Sequence, residues 1–206
     1  MNPRLLFTVG SQFLENVESV ALKGSIEFED HSRSQSGSFQ MVMNRGDSLA
    51  FIIEGPLKID VFRLILVDNI AYYTDRETGV WSEIPGNEKL ILPDYGIECI
   101  RPDALVYYVF PQFYFQKGQG LNLDKMIISS DDYDFYLTPS GNNSSFTLFN
   151  QGLNLTASYS RRKDLGNGYY PSHVEIYAPY ENWRISLEIE KIKLNPEKSA
   201  KIWDRD

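Results

Sequence analysis

Residues 38–84 read SFQMVMNRGDSLAFIIEGPLKIDVFRLILVDNIAYYTDRETGVWSEI, and this stretch decides the fold. Short runs rich in β-branched and aromatic residues are separated by turn signals at Arg45-Gly46-Asp47, Gly55-Pro56, Asp68-Asn69 and Glu77-Thr78-Gly79. Connections this tight favour antiparallel neighbours, because a parallel pair needs a crossover of about a dozen residues or more. Phe39, Met41 and Met43 fall on one face of their run, and Leu49, Phe51 and Ile53 on one face of the next. The third run, IDVFRLILV, is apolar on both faces, so it is either buried on both sides or lies beneath a covering element. A meander this long has to curl, and the concave face of a curled sheet has to be filled by something.

Outward from this stretch the pattern continues. Upstream, residues 3–16 carry Leu5, Leu6, Val9, Phe13 and Leu14 at helical intervals, predicting a short amphipathic helix. Val20, Leu22, Ile26 and Phe28 then predict a first strand. Downstream, residues 85–100 read as irregular, punctuated by Pro85, Pro93 and Gly96. Residues 102–110 form an apolar helix opened by Pro102 and Asp103 and stopped by Pro111. The glycines of the loop over residues 115–125 leave it free to move. The second half returns to strands, with alternation at Tyr133/Phe135/Leu137, Phe146/Leu148, Leu155/Ala157/Tyr159 and Ile185/Leu187/Ile189. The last twelve residues, NPEKSAKIWDRD, are polar and are expected to fray. No linker interrupts the chain, which reads as a single domain over residues 1–206.

Composition removes several function classes. The net charge of −8 opposes phosphate backbones, so no nucleic-acid partner is expected. No run approaches the roughly 20 apolar residues of a membrane-spanning helix. Cys99 is the single cysteine, and His31 and His173 are the only histidines. That set offers neither a disulfide framework nor the spacing of a metal site, and no cofactor is called for. Asp131, Asp132 and Asp134, with Asp124 nearby, are the densest carboxylate group. They flank a hairpin turn, where Asp is favoured for its own side-chain hydrogen bonds, so turn chemistry outweighs a hydrolytic or calcium-binding role. Cys99 reads as a small buried hydrophobe rather than a reactive thiol.

The candidate site is therefore apolar. Phe39, Met41, Met43, Phe51, Ile53, Tyr73, Trp81, Phe135, Leu137, Phe146 and Leu148 sit at alternating positions of the curled strands. An ordinary packed interior is at least as good a reading of such a pattern. Two features tilt it toward a cavity. Met41 and Met43 share a strand face, and methionine adapts to varied apolar shapes. The helix over residues 102–110 interrupts the strands where a lid is useful, and Leu105, Tyr108, Val109 and Phe110 form part of that lid.

The order of elements resembles the bacterial lipoprotein-carrier superfamily, the LolA/LolB-like proteins. The resemblance rests on VESVALKGSIEFED after an early helix, the long run from SGSFQMVMNR to IAYYTD, the helix after Arg101-Pro102, and the closing YYPSHVEIYAPYENWRISLEIEKIKLN. It implies a mainly β protein: a curled antiparallel half-barrel of about eleven strands with short helices as a lid. It also implies a non-enzymatic function, the binding of lipid or lipoprotein acyl chains as carrier or acceptor in the cell envelope, with an envelope protein as a further partner. The family is periplasmic or held at the outer membrane by a lipidated cysteine. The chain starts MNPRLLFTVG, without a signal peptide pattern, so a signal and a peripheral membrane anchor are expected to be missing from it. Carriers of this kind close the lid with a particular arginine, and none of Arg63, Arg101 and Arg184 aligns with that role. The alternative is a non-catalytic interaction protein of an envelope complex, with a packed barrel interior.

Overall fold

In the computed structural model the described residues are 14, 16–45, 48–55, 60–75, 79–92, 97–114, 121–122, 127–129, 134–140, 145–150, 154–164, 169–196 and 202–203. The first meander comprises β1 (Ser19–Glu29), β2 (Ser34–Asn44), β3 (Ser48–Glu54), β4 (Asp60–Val67), β5 (Ile70–Asp75) and β6 (Ser82–Pro85). A central segment follows, with β7 (Leu90–Leu92), β8 (Ile97–Ile100), α1 (Pro102–Val109) and α2 (Pro111–Tyr114). The second meander holds β9 (Leu121–Asn122), β10 (Ile127–Ser129), β11 (Asp134–Ser140), β12 (Ser145–Asn150), β13 (Leu155–Asp164), β14 (Tyr169–Ala178) and β15 (Trp183–Leu194).

Thirteen of these strands form one antiparallel sheet in the order β6-β5-β4-β3-β2-β1-β15-β14-β13-β12-β11-β10-β9. Ten of them have six residues or more; β6, β9 and β10 are short. The end strands β6 and β9 do not pair with each other, so the sheet is open and curled rather than a closed barrel. The expected mainly β half-barrel is what forms. The two meanders meet where the first strand pairs with the last, from Val20↔Leu194 to Glu29↔Arg184. The register slips between Lys23 and Gly24. A side chain at Gly24 would put its Cβ 1.8 Å from the carbonyl oxygen of Glu188, so only glycine allows this approach. Such a bulge bends the strand and raises its twist, which helps the sheet curl at its middle.

Local chemistry explains the hairpins. Asp68 and Asn69 both take positive φ, 51° and 59°, in the two-residue turn between Val67 and Ile70. Asp and Asn tolerate that backbone, and its twist matches the flanking strands. At the β1–β2 turn, Asp30 Oδ1 accepts from the amides of Ser32 and Arg33 at 2.7 and 2.9 Å. The Ser32 amide, ahead of the other contacts, holds this carboxyl below its usual range.

Two apolar layers lie on opposite faces of the sheet. Phe39, Met41 and Met43 of β2 join Leu49, Phe51 and Ile53 of β3 in the main core, on the inner face. The intervening Val42, Ala50, Ile52 and Ile65 form a second cluster on the outer face. The strand expected to need a cover, β4, therefore has one. Ile202 is buried in the outer cluster, and Trp203 packs against it. At Ile202 and Trp203 this corrects the expectation that the tail frays; residues 197–201 and 204–206 lie outside the described residues. These two apolar side chains are held there because the outer face of β2–β5 is otherwise exposed hydrocarbon.

The central segment also differs from expectation. Residues 85–100 contain the β7–β8 hairpin, with Leu90 paired to Ile100, in place of an irregular stretch. Helix α1 forms where predicted. Its Arg101 Nη2 contacts Asp103 Oδ2 at 2.7 Å, and the amides of Ala104 and Leu105 bond to Arg101 O. Pro111 ends that helix and begins the short α2. The helix predicted over residues 3–16 lies outside the described residues except for Leu14 and Asn16. So do residues 115–120 and 123–125 of the predicted mobile loop, Asp131 and Asp132, and the side chains of Cys99 and Asp134.

Candidate functional site

The inner face of the sheet and α1 together enclose an apolar site. From the first meander come Ile26 and Phe28 of β1, Phe51 and Ile53 of β3, and Phe62 and Leu64 of β4. From the second come Ile176 of β14 and Ile185 and Leu187 of β15. Leu90 of β7 and Leu105 and Val109 of α1 close it from above. Period-two alternation puts every one of these strand side chains on the same face. The aromatic rings make a ladder across three strands: Phe39 and Phe51 meet edge-on at 6.1 Å, and Phe51 and Phe62 at 6.5 Å. Each such contact contributes about 0.5–1.5 kcal/mol beyond its buried area.

The space left between lid and sheet is small, about 20 Å³. That is room for about one water molecule. The open hollow expected from the alternation is thus filled, chiefly by the lid's own side chains. Leu105, Tyr108, Val109, Phe110 and Phe113 are all buried in the main core.

Polar ties hold α1 and α2 in place. The Tyr159 hydroxyl, on β13, donates to the carbonyl oxygen of Tyr108 at 2.5 Å, and the bond is buried. Burial pushes the Tyr159 hydroxyl well above the usual tyrosine range, with Tyr108 adding to the effect, so it stays protonated and able to donate. Phe110 stacks at a tilt on Tyr170 of β14, 5.4 Å between centroids. Arg45, at the end of β2, supplies a second tie. Its Nε donates to Val17 O and its Nη2 to Leu14 O, while the guanidinium lies 5.1 Å from the centre of the Phe113 ring. One side chain thereby joins the N-terminal segment, the β2–β3 turn and α2. The sequence places Arg45 in a turn signal, and nothing in its local pattern marks it as a tie; a planar cation with five donors is nonetheless the group suited to the task.

The expected site residues divide as follows. Phe39, Met41, Met43, Phe51 and Ile53 are buried in the main core, and Tyr73 packs against it. Leu105, Tyr108 and Val109 meet them from the lid. Trp81 packs with the outer cluster instead, on the other side of the sheet. Phe135 and Leu137 lie in β11 and Phe146 and Leu148 in β12, with Leu137 paired to Leu148, but their side chains are outside the described residues. Ile26, Phe28, Phe62, Leu64, Leu90, Ile176, Ile185 and Leu187 also line the site. Ile26, Phe28, Ile185 and Leu187 already stood out by alternation in their own strands. Among the described residues no group of three or more His, Cys, Asp or Glu side chains is placed to hold a metal, and no helix is long and apolar enough to cross a membrane.

The fold is shared with several solved proteins. A DUF1329 family protein from Desulfovibrio piger superposes with a TM-score of 0.58 at 9% identity, covering 99% of this chain and 98% of that one. A LolA superfamily protein from Nitrosomonas europaea gives 0.53 at 11% identity over 99% and 98% of the two chains. A domain assigned to outer membrane lipoprotein sorting, from Vibrio parahaemolyticus, gives 0.53 at 9% identity over 96% and 95%. The chain therefore has the fold of the LolA superfamily along nearly its whole length, and at these identities the likeness is one of fold. No family model and no curated protein matches the sequence.

Proposed function

We propose that this protein binds the acyl chains of lipids or lipoproteins on the inner face of its sheet, as a carrier or acceptor in the bacterial cell envelope. The observation that carries the reading is the uniformly apolar surface beneath α1, which closes over it. In this reading Leu105 and Val109 occupy the place of the cargo and leave when it arrives. Exposing those two side chains costs about 3–6 kcal/mol, and burying about ten methylenes returns about 8 kcal/mol before association costs. The two amounts are close, so loading is reversible, as a protein that delivers its cargo needs. Arg45 and Tyr159 set the bias toward the closed state. Binding by burial needs no catalytic group. The fold is shared with a LolA superfamily protein and an outer membrane lipoprotein-sorting domain, which supports the envelope assignment.

The nearly filled interior favours a second reading, an interaction protein of an envelope complex whose core is permanently packed. Titration with a fluorescent fatty acid, alongside native mass spectrometry, separates the two. The carrier reading expects saturable uptake, weakened by Phe51→Gln and accelerated by Arg45→Ala. No uptake by the wild type or by Arg45→Ala, with no lipid in the mass spectrum, would sink it and leave the packed interior.

A further inference from the structure

Along β15 the apolar lining beneath α1 ends at Ile185. The next inward position is Trp183, which belongs to the same core and is 2% exposed. Register fixes its place. Ile185 lies opposite Phe28 of β1 and Ile176 of β14, all three lining the site, and Trp183 lies opposite Ala178, two residues nearer the β14–β15 turn.

The Trp183 indole Nε1 is buried and makes no hydrogen bond. A buried tryptophan N–H usually finds an acceptor, because an unmade bond keeps the full cost of its desolvation. Two residues back in the chain, Glu181 Oε2 is also buried without a partner. Beyond this pair the protein meets water. Tyr180 is 80% exposed, and the exposed Asn182 has its Nδ2 3.1 Å from His31 Nδ1 of the β1–β2 turn. From α1 to this turn, the inner face passes from a wholly apolar stretch, through a buried donor, to solvent. An acyl ester has the same order: hydrocarbon chain, carbonyl oxygen, hydrated head group.

We propose that Trp183 recognises the carbonyl of the cargo. Its Nε1 donates to the ester carbonyl oxygen of an acyl lipid whose chain lies under α1 and whose head group leaves past the β14–β15 turn. The inference rests on the carrier reading and adds two things to it: a direction for the cargo, and a preference for acyl esters over ethers and plain hydrocarbons. Indole suits the role because it donates and does not accept, so only an acceptor on the ligand satisfies it. A buried water is the rival partner, and it leaves the indole indifferent to the ligand's carbonyl.

The test compares a monoacylglycerol with the alkylglycerol ether of the same chain length, which differs in lacking the carbonyl oxygen. Both are titrated as competitors of a fluorescent fatty acid. The wild type is expected to bind the ester about tenfold more tightly than the ether, and Trp183→Phe to abolish that preference. Phenylalanine underfills the position, so a second measurement uses the native side chain. The chain has three tryptophans, and an NMR spectrum of the labelled indole N–H groups, with the other two signals assigned by Trp81→Phe and Trp203→Phe, follows Trp183 directly. The ester should move its N–H proton downfield, as a new hydrogen bond does, and the ether should not. Equal affinity for ester and ether, or an unmoved Trp183 proton with the ester bound, overturns the proposal and leaves acyl binding standing. A preference that survives in Trp183→Phe overturns it as well. Failure of both amphiphiles to bind sinks the carrier reading itself, and this inference with it.

Discussion

The outer faces of the two meanders are built on different rules. On β2–β5 the outward side chains are Val42, Ala50, Ile52, Ile65 and Tyr72, and the C-terminal Ile202 and Trp203 cover them. On β13–β15 they are Ser158, Ser160, His173, Glu175, Ser186 and Glu188, open to water, with Glu188 paired to Arg161 and Glu175 to Arg184. Both meanders present an apolar inner face to α1. The first meander is therefore a buried middle layer, sandwiched between lid and tail, while the second is a wall with one wet side. A sheet apolar on both faces needs cover on both, whereas one with a charged face folds without it.

The sharpest break of this contrast is a charge on each outer face. Ile65→Asp puts an uncompensated carboxylate beneath the tail and removes a buried side chain, and is expected to cost about 4 kcal/mol or more in chemical denaturation. Ser160→Asp, opposite His173 on the second meander, should stay within about 0.5 kcal/mol of the wild type. Equal costs would mean that the two faces are not differently buried. Next in size is the cover itself. Ile202→Ala should lower stability by about 2 kcal/mol, at the low end for a buried apolar truncation because the site is near the surface. It should also raise the fluorescence of an apolar dye. An unchanged midpoint and unchanged dye signal would show that the tail does not seal this face.

How much of this was readable beforehand depends on the range of the signal. Leu49, Phe51 and Ile53 announce their shared face because alternation is a local property of one strand. The two-sided run of β4 announces that it needs a cover, but not which segment supplies it. Ile202 and Trp203 are far away in the chain, and two apolar residues in a polar tail have no period. Trp81 shows the same limit: alternation groups it with the inner residues, and its packing puts it on the other side. Alternation also tells which way a side chain points and not whether the space it enters is full, so the lid-filled interior was hidden. Arg45 was hidden for a similar reason, since its partners Leu14, Val17 and Phe113 lie in other elements.

Smaller effects refine the comparison by asking what each meander gives the lid. The second meander supplies the polar tie. Tyr159→Phe removes the donor to Tyr108 O and leaves a buried carbonyl without it, at an expected cost of about 1–2 kcal/mol. Because the bond spans lid and sheet, the variant should also take up an apolar dye faster than the wild type. The stability loss without faster uptake would mean that α1 does not open along this contact.

The smallest effect is expected where the second meander's outer face carries its charges. Glu188 accepts from Arg161 Nη1 at 2.5 Å and contacts His173 Nδ1 at 2.7 Å, which on geometry alone suggests a strong anchor. Exposure argues otherwise: the Arg161 side chain is 67% exposed and that of Glu188 37%. Water competes for both groups, and ordering two long side chains offsets much of the attraction. Glu188→Gln should therefore change stability by no more than about 0.5 kcal/mol, and about 0.5 M salt should remove even that difference. A loss of about 2 kcal/mol that persists in salt would place these groups in a low-dielectric setting. The second meander would then also be covered on its outer side, and the contrast between the two halves would fail.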